Sequence, residues 1–391
     1  MKAILLQGNS QYDVLNTTTT FFSKAMSSYG IENIICNLNI VSAQEYLEIV
    51  KTFKPDFTIS NNPICYLYDG ITHHEYTNIP HIVRLGDHPY YHVGERALKN
   101  PNAKTVFTIA PQQIYVSAFE KLNVNRYSIL NISPSTERFN IPFDNKIFPM
   151  VFFGSIMDPY KKVDELREKS ENLYNLVNQF IQVIINKLST ELQLLEESIE
   201  IYFENFLKEN LPLPESEIIN ISRTLFPIID SFYRNFTRII ILQEFAETGL
   251  EMWIFSDGDA HQYFSKYPNV IIKPSVSYLD CINIIAQSKV ALNVTPFFKT
   301  THERISNALF NSTLLCSNEM EDLTTNHPNI KQSSLFYNLN SINHISETIK
   351  EIIQNKEKYN RMIELGREIA TNNFSYEKYM SSLVDLYRNV I

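Results

Sequence analysis

The chain has 391 residues, of which 44% are hydrophobic, and a formal net charge of −9 at pH 7. This length exceeds what one hydrophobic core usually serves, so we expect two domains and an insertion. The acidic balance argues against nucleic acid or an anionic membrane surface as the main partner, because either would favour a basic surface.

The cysteines and the amino-terminal residues indicate a cytoplasmic protein. The cysteines are widely spaced and form no C-x-x-C pair, which is typical of reduced, buried thiols. They are Cys36, Cys65, Cys281 and Cys316. The first apolar run becomes polar at Gln7 and is too short for a signal peptide. No uncharged apolar run is long enough to span a bilayer, so we expect no transmembrane segment.

Short apolar runs alternate with helical patterns in the first 150 residues. The predicted strands are Ala3–Leu6, Ile34–Leu38, Phe57–Ser60, His81–Leu85, Thr105–Ile109 and Tyr127–Ile132. The predicted helices are Phe21–Tyr29, Ala43–Thr52 and Gln113–Lys121. Strands separated by helices of this length indicate a parallel sheet with right-handed crossovers. We therefore predict a Rossmann-like domain over residues 1–148, although it lacks the GxGxxG motif of dinucleotide sites.

Polar residues that follow two of these strands are candidates for an acceptor site. Asn9 and Ser10 follow the first strand, and Asp87 and His88 follow the strand that begins at His81. Ligand sites of parallel sheets form at the carboxyl ends of strands. Asp87 or His88 could therefore deprotonate an acceptor hydroxyl. A proline-containing turn with structural hydrogen bonds would explain the same residues equally well.

A linker and a helical insertion follow the first domain. Residues 133–149 contain three prolines among polar residues. Met150–Gly154 then begins a second series of strands, which is interrupted by a helix-rich segment over residues 160–246. Apolar residues in this segment recur at three- and four-residue spacing, which predicts an amphipathic helix. They are Leu173, Val177, Phe180, Ile184, Ile185, Leu188, Leu192, Leu195 and Ile199. We favour a packed helical subdomain over an acceptor-binding platform. Homo-oligomers could form through its surface.

Strands and helices alternate again after the insertion. The predicted strands are Glu251–Phe255, Val270–Ile272, Val290–Val294 and Thr313–Cys316. The predicted helices are Tyr278–Gln287, Glu303–Phe310, Ile342–Gln354, Lys356–Asn372 and Tyr376–Val390. We expect a second α/β domain over residues 149–375 that faces the first across a cleft. The last helix, about residues 376–391, could pack back on the first domain.

The start of the Glu303–Phe310 helix carries the strongest functional signal. Thr300 and Glu303 have the spacing of a capping box, and the free N–H groups of a helix start attract anions. His302 and Arg304 place cations where an isolated helix disfavours them, which indicates a ligand with negative charge of its own. We therefore predict a nucleotide diphosphate at Thr301–Arg304. An ordinary capped surface helix is the alternative.

A second stretch, Gly154-Ser155, follows the first strand of this domain. Its backbone could approach a phosphate closely in the same cleft, because glycine has no side chain to intervene. A simple turn without a ligand would explain the two residues about equally well.

Several stretches resemble bacterial GT-B glycosyltransferases, in particular the CgeB-like group with a family 1 glycosyl transferase domain. Val151–Ser155 is similar to the group's first strand and loop, and Val290–Asn293 to its v-x-L-N strand. Arg304–Leu309 is similar to R-v-f-E-A-l, and Ser341–Tyr376 to its carboxyl-terminal ending. The likeness covers about 160 residues on the carboxyl-terminal side well and the first domain loosely. It does not extend to the helical insertion.

The resemblance implies an enzyme that moves a hexosyl or N-acetylhexosaminyl group from a nucleotide-diphosphate sugar, with UDP-sugars as the default. The acceptor would be a glycan, a protein or a small molecule. It also implies that Asn293 and Asn307 lie in the donor site. The family's acidic residue, which holds the donor ribose, is Asn307 here. Its amide can bind a hydroxyl, but without the strength of a carboxylate, and Glu303 could compensate.

We predict no cofactor and no metal. Asp257-Gly258-Asp259 matches the D-x-D motif that holds Mg²⁺ or Mn²⁺ in GT-A transferases. That fold has a single domain, however, so in a GT-B protein Asp257 belongs to a polar loop that lines the donor pocket. His73-His74-Glu75 has no metal-ligand spacing and is predicted to be a solvated loop.

Two other functions stay open from the sequence. The chain could be a catalytically inactive, glycosyltransferase-like binding protein in which Asn307 marks a lost donor site, or a nucleotide-sugar epimerase of the same fold. The sequence has no G-x-S-x-G elbow, P-loop or zinc signature, which disfavours hydrolases, kinases and metalloproteases.

Overall fold

The structure is a computed structural model of the 391-residue chain. It describes residues 1–8, 10–62, 66–68, 71–72, 76–92, 105–109, 113–130, 134–135, 139–295 and 302–390. The chain divides into two compact units. Unit 1 comprises Met1–Ser135, Ser277–Leu279 and Asn372–Ile391, and unit 2 comprises Thr136–Val276 and Asp280–Thr371. Within the described ranges each unit has a six-stranded parallel sheet, which confirms the predicted α/β class with two Rossmann-like units.

The sheet of unit 1 has the strand order β2-β1-β3-β6-β7-β8. Its strands are β1 (Lys2–Gln7), β2 (Glu32–Asn37), β3 (Phe57–Asn61), β6 (His81–Arg84), β7 (Thr105–Ile109) and β8 (Tyr127–Ile129). A short antiparallel pair, β4 (Tyr66–Tyr68) and β5 (Ile71–Thr72), was not predicted from the sequence. Strand β1 contains a continuous buried apolar run over Ala3–Leu6, which is typical of a sheet covered by helices on both faces, whereas β3 and β6 also bury polar side chains such as Ser60 and Arg84.

The helices of unit 1 are α1 (Val14–Ser28), α2 (Ala43–Phe53), α3 (Gln113–Lys121) and the final helix, α14 (Tyr376–Val390). A capping box starts α2: Glu45 N donates to Ser42 Oγ at 3.3 Å, and Ser42 N donates to Glu45 Oε2 at 2.8 Å. Phe22 of α1 packs edge-on against Tyr379 of α14, with ring centroids 5.3 Å apart. The final helix therefore belongs to the core of unit 1.

The sheet of unit 2 has the strand order β11-β10-β9-β12-β13-β14. Its strands are β9 (Phe148–Phe153), β10 (Met252–Phe255), β11 (Val270–Lys273), β12 (Ser288–Asn293), β13 (Leu314–Asn318) and β14 (Ser334–Tyr337). Chain order runs outward in one direction from β9 and in the other from β12. Ligands of open α/β sheets bind at such a switch point, beyond the carboxyl ends of the two strands.

The insertion in unit 2 consists of α4 (Lys161–Lys169), α5 (Glu171–Ile185), α6 (Ile199–Asn210) and α7 (Glu215–Glu247). The single amphipathic helix predicted as far as Ile199 is wrong. A π-helix over Asn186–Thr190 and an irregular segment follow α5. Leu188 and Leu195 are buried all the same, and Leu195 N donates to Tyr233 Oη at 3.2 Å. The spacing of apolar residues indicates which side chains are buried, but it does not require a helix. An irregular segment can bury the same side chains when its backbone amides are hydrogen-bonded.

The 33-residue helix α7 contains Pro227 and leads directly into β10. The other α-helices lie in unit 2, except that α9 and α13 each extend by a few residues into unit 1. They are α8 (Ala260–Phe264), α9 (Tyr278–Ala286), α10 (Glu303–Phe310), α11 (Glu321–Asn326), α12 (Ile342–Gln354) and α13 (Lys356–Asn373). None of the helices in the described part of the chain has both the length and the apolar composition needed to cross a membrane.

Candidate functional site

Arg304 connects the two strands that flank the switch point of unit 2. It lies in the first turn of α10, which follows β12 in the chain, and its Nη1 donates to Phe153 O at 3.0 Å. Phe153 is the last residue of β9. The start of α10 and the loop after β9 are therefore next to each other at the edge where a ligand is expected.

The start of α10 is where the sequence predicted it, but its cap is different. His302, not Thr300, is the N-cap residue, so the predicted capping box is wrong. Thr300 and Thr301 lie outside the described residues. His302 Nδ1 is 3.3 Å from Arg304 N and 3.0 Å from Glu303 Oε2. This nitrogen can accept from the amide or, when protonated, donate to the carboxylate, but not both. In the second state the Arg304 amide loses this acceptor.

Burial and neighbouring charges shift the pKa values of His302 and Glu303. Burial lowers the pKa of His302; the Glu303 carboxylate opposes this shift, and Arg304 adds to it. Burial raises the pKa of Glu303, but His302 and Arg304 outweigh it, and the resulting pKa is about 2. Glu303 is therefore ionised at neutral pH and compensates part of the positive charge of Arg304.

A second guanidinium, from Arg238 of α7, reaches the same loop. Its Nη1 donates to Ser155 O at 2.9 Å, and a Cβ added to Gly154 would lie 3.8 Å from Arg238 Cζ. Arg238 is 9% exposed, and its Nε is buried and finds no hydrogen-bond partner among the described residues. A buried donor without a partner is costly, so this atom favours an acceptor supplied by a ligand.

Arg238 lies among like charges. Burial lowers its pKa well below the ordinary value, and Arg304 and Arg234 lower it further, whereas Asp230 opposes them. Arg234 is paired with the buried Asp230, with Nη2 and Oδ2 2.7 Å apart. The region around Gly154 therefore carries positive charge that the binding of an anion would stabilise.

The sequence analysis missed Arg238 because it assigned the insertion to packing alone. Asp230, Arg234 and Arg238 recur every four residues within an otherwise apolar stretch of α7. Charged residues at that spacing share one helix face, and this could have indicated a polar contact inside the domain.

The carboxylates of the D-x-D motif hold neighbouring loops. Ser275 donates to Asp257 Oδ1 through its hydroxyl and, at 3.3 Å, through its backbone N. Asp259 Oδ2 accepts from Asp158 N at 2.8 Å. Among the described residues, no group of three His, Cys, Asp or Glu side chains is placed to hold a metal ion. His73, His74 and Glu75 lie outside those residues.

Gly258, between the two aspartates, brings the loops after β9 and β10 together. Its φ is +89°, and an added Cβ would lie 2.7 Å from Ile156 O and 2.3 Å from Met157 Sδ. Asp259 N donates to Ile156 O at 2.7 Å. Only glycine combines that backbone conformation with so close an approach, so the motif has a structural role.

Asn293 and Asn307, assigned to the donor site by resemblance, are buried in unit 2. Asn293 Nδ2 donates to Thr295 Oγ1 at 3.0 Å and to Ser317 Oγ at 2.9 Å. Asn307 is fully buried within α10, and its backbone O accepts from Asn311 Nδ2 at 2.7 Å. Both side chains are buried, and their contact with a ligand stays a prediction.

The candidate residues of unit 1 lie at the carboxyl edge of its sheet. The side chain of Asp87 is 51% exposed, and its Oδ2 accepts from Asn62 Nδ2 at 2.9 Å. His88 is buried, accepts from Tyr90 N at 3.2 Å through Nδ1, and packs edge-on against the Tyr90 ring. Asp87 is thus the more accessible of the two predicted bases.

The loop after β1 holds the other acceptor candidates. Ser10 Oγ accepts from Leu15 N at 2.8 Å and so helps to start α1. Asn9 lies outside the described residues.

The chain was compared with known proteins. Its sequence matches no protein-family model and no curated protein. A sucrose-phosphate synthase from Thermosynechococcus elongatus matches over 100% of this chain and 99% of its own, with a TM-score of 0.56 and 8% identity. An α-glucosyltransferase solved with UDP-glucose and DNA that contains an abasic site matches over 100% of both chains, with a TM-score of 0.59 and 10% identity. HepE from Anabaena, solved with UDP and glucose, matches over 98% of both chains, with a TM-score of 0.53 and 9% identity.

These structures are GT-B glycosyltransferases, and their likeness over the whole chain shows that this protein has the GT-B fold. The CgeB-like subgroup stays a resemblance. Because a fold can host several activities, the function rests on the site itself.

Proposed function

We propose that the protein is a glycosyltransferase that uses a nucleoside diphosphate sugar as donor. The observation that carries this proposal is the pair of guanidiniums, Arg238 and Arg304, on either side of Gly154 at the switch point of unit 2. A diphosphate has the charge and the oxygen acceptors that two arginines and a glycine-containing loop can bind. The start of α10 adds the positive end of a helix dipole.

The same groups would stabilise the reaction. When the sugar leaves, the bond between its anomeric carbon and the diphosphate oxygen breaks, and negative charge grows on the leaving group. Cations and amides already fixed in place stabilise that charge without rearranging. Arg304 is held by Phe153 O and Arg238 by Ser155 O, so both are positioned before a ligand arrives.

UDP-glucose is the first donor to test. Two of the similar structures contain UDP or UDP-glucose, which supports uracil as the base. The identity of the acceptor is open among glycans, proteins and small molecules. We assign transfer without a metal, since Asp257 and Asp259 are engaged by Ser275 and Asp158.

Asp87 is the proposed base for the acceptor hydroxyl. It is exposed and lies at the carboxyl edge of the sheet of unit 1, whereas His88 is packed among aromatic rings. A carboxylate that accepts a proton during the attack of the hydroxyl typically contributes a factor of about 10² to 10⁴ to the rate.

The proposal is tested by nucleotide binding. UDP, GDP, CDP and ADP are titrated by calorimetry into the wild type and Arg304→Ala, with melting temperatures measured in parallel. UDP at about 100 times its Kd should stabilise the wild type by about 2.7 kcal/mol. Arg304→Ala should lose most of the effect, and the wild type should release UDP from UDP-glucose. If no nucleoside diphosphate binds, the inactive binding protein becomes the better description.

A further inference from the structure

Asn62, which follows β3, uses both ends of its side-chain amide on the loop after β6. Its Oδ1 accepts from Gly86 N at 3.0 Å, and its Nδ2 donates to Asp87 Oδ2 at 2.9 Å. Its backbone N also donates to Arg84 O at 2.8 Å. One residue therefore makes three hydrogen bonds to the segment that carries Asp87.

The backbone of Asn62 narrows the choice of residue at this position. Its φ is +58°, in the left-handed region, which glycine, asparagine and aspartate adopt more readily than other residues. Glycine would suit the backbone but has no amide. Aspartate would place a second carboxylate against Asp87. Asparagine satisfies both the backbone and the two side-chain hydrogen bonds.

The contacts of Asp87 are concentrated on one of its oxygens. Asn62 Nδ2 bonds to Oδ2, and His92 Nε2 lies 3.9 Å from the same atom. About half of the side chain is exposed. A carboxylate held at one oxygen cannot rotate freely, and the other oxygen then has a defined direction toward a substrate.

We propose that Asn62 is a positioning residue for proton transfer from the acceptor hydroxyl to Asp87, an inference that rests on the proposed function. In this step the hydroxyl oxygen bonds to the anomeric carbon, and the bond from that carbon to the diphosphate oxygen breaks. The electron pair of that bond leaves with the nucleoside diphosphate. The hydroxyl proton passes to Asp87 Oδ1 and then to water, while Asn62 keeps Oδ2 in place.

The test compares Asn62→Gly and Asn62→Asp with the wild type. UDP release from UDP-glucose, with water as the acceptor, is followed from about pH 3 to pH 9, a range that includes the ordinary titration of a carboxylate. Asn62→Gly keeps the left-handed backbone and removes the amide, so kcat should fall about tenfold while KM for UDP-glucose is unchanged. Asn62→Asp places like charge beside Asp87, so the acidic limb of the kcat profile should move up by about one pH unit. A purely structural role would not move this limb.

The outcomes separate this inference from the proposed function. If both variants keep the wild-type kcat and pH profile, Asn62 does not position Asp87, and the glycosyltransferase proposal stands. If the wild type neither binds UDP nor releases it from UDP-glucose, the proposed function fails and this inference fails with it. Melting temperatures show whether each variant is folded. The Asp87 carboxyl ¹³C resonance, assigned from its loss in Asp87→Asn, should titrate at higher pH in Asn62→Asp, and an unchanged titration would overturn the proposal.

Discussion

Arg238 and Arg304 donate hydrogen bonds to the carbonyl oxygens on either side of Gly154. One arginine comes from the helical insertion and the other from the helix after β12. Both guanidiniums are therefore held by backbone carbonyl oxygens, while Glu303 compensates only part of the charge of Arg304. Two arginines held in this way would form the proposed anion site at the switch point of unit 2.

Replacing Arg238 by methionine should weaken UDP binding without destabilising the protein. Hydrogen bonds to charged groups contribute about 1.5 to 3 kcal/mol, so the Kd should rise at least about tenfold. The methionine removes a buried cation that Arg304 and Arg234 repel, so the melting temperature should stay equal or rise. Arg223→Met, on the same helix and bonded to Asn220, is the matched control. Unchanged UDP affinity in Arg238→Met would show that this arginine is not in the site.

Removal of divalent metal should leave UDP binding unchanged. The Kd for UDP is measured with EDTA and with Mg²⁺, and we expect equal values because both carboxylates of the D-x-D motif bind protein groups. Asp259→Asn keeps an oxygen that can accept from Asp158 N and should bind normally. Asp259→Ala loses it and should cost about 1 to 3 kcal/mol of stability. If Asp259 bound a metal ion, both variants would instead lose the part of the UDP affinity that depends on the metal.

Gly258→Ala should be more destabilising than Gly249→Ala. Both glycines have positive φ, +89° and +75°, but a Cβ on Gly249 meets nothing within 4 Å, whereas one on Gly258 meets Ile156 O at 2.7 Å. We expect about 1 to 2 kcal/mol for the backbone conformation at either position and at least about 1 kcal/mol more for the clash. Urea denaturation measures the difference. Equal losses would mean that the loops after β9 and β10 can separate easily.

Lys146 should make the stability of the protein depend on pH. Burial lowers its pKa to about 7, and its Nζ donates to Ala286 O at 2.5 Å. Between that pH and the ordinary lysine pKa, the unfolded chain binds a proton that the folded protein does not, so the free energy of unfolding rises with pH. Relative to Lys146→Met, the wild type should gain up to about 1.4 kcal/mol per pH unit from pH 7 to 9. Denaturation curves of both proteins at pH 7, 8 and 9 measure the gain, and a constant difference would contradict it.

The sequence predicted most strands because the buried ones are continuous apolar runs, such as Val151-Phe152-Phe153. It did not predict β14 (Ser334–Tyr337), because this strand has only four residues and a hydroxyl-bearing side chain at each end. The helix from Glu303 to Phe310 was confirmed in both bounds. Its cap was not, because a histidine that caps with a ring nitrogen has no common sequence pattern.

Only part of the candidate site could be predicted from the sequence, and the reason is physical. His302, Glu303, Arg304 and Gly154 stand next to strand ends, where a local pattern indicates function. Arg238 meets Ser155 across 83 residues of sequence, and only the folding of the insertion brings them together. Asn62 and Asp87, 25 residues apart, meet through neighbouring parallel strands in the same way. Contacts between residues so far apart in the chain have no local sequence pattern, so a single sequence does not predict them.

The position of Pro227 within α7 indicates where a shortened insertion could begin its helix. Proline is well tolerated at the first position of a helix, where its missing N–H has no partner to lose. Its carbonyl accepts from Lys162 Nζ of α4 at 3.4 Å, so the chain already passes close to α4 here. A minimal protein in which a short loop joins α4 to Pro227 would start its long helix on a natural first residue. It would lack α5 and α6 and keep the contact between Arg238 and Ser155.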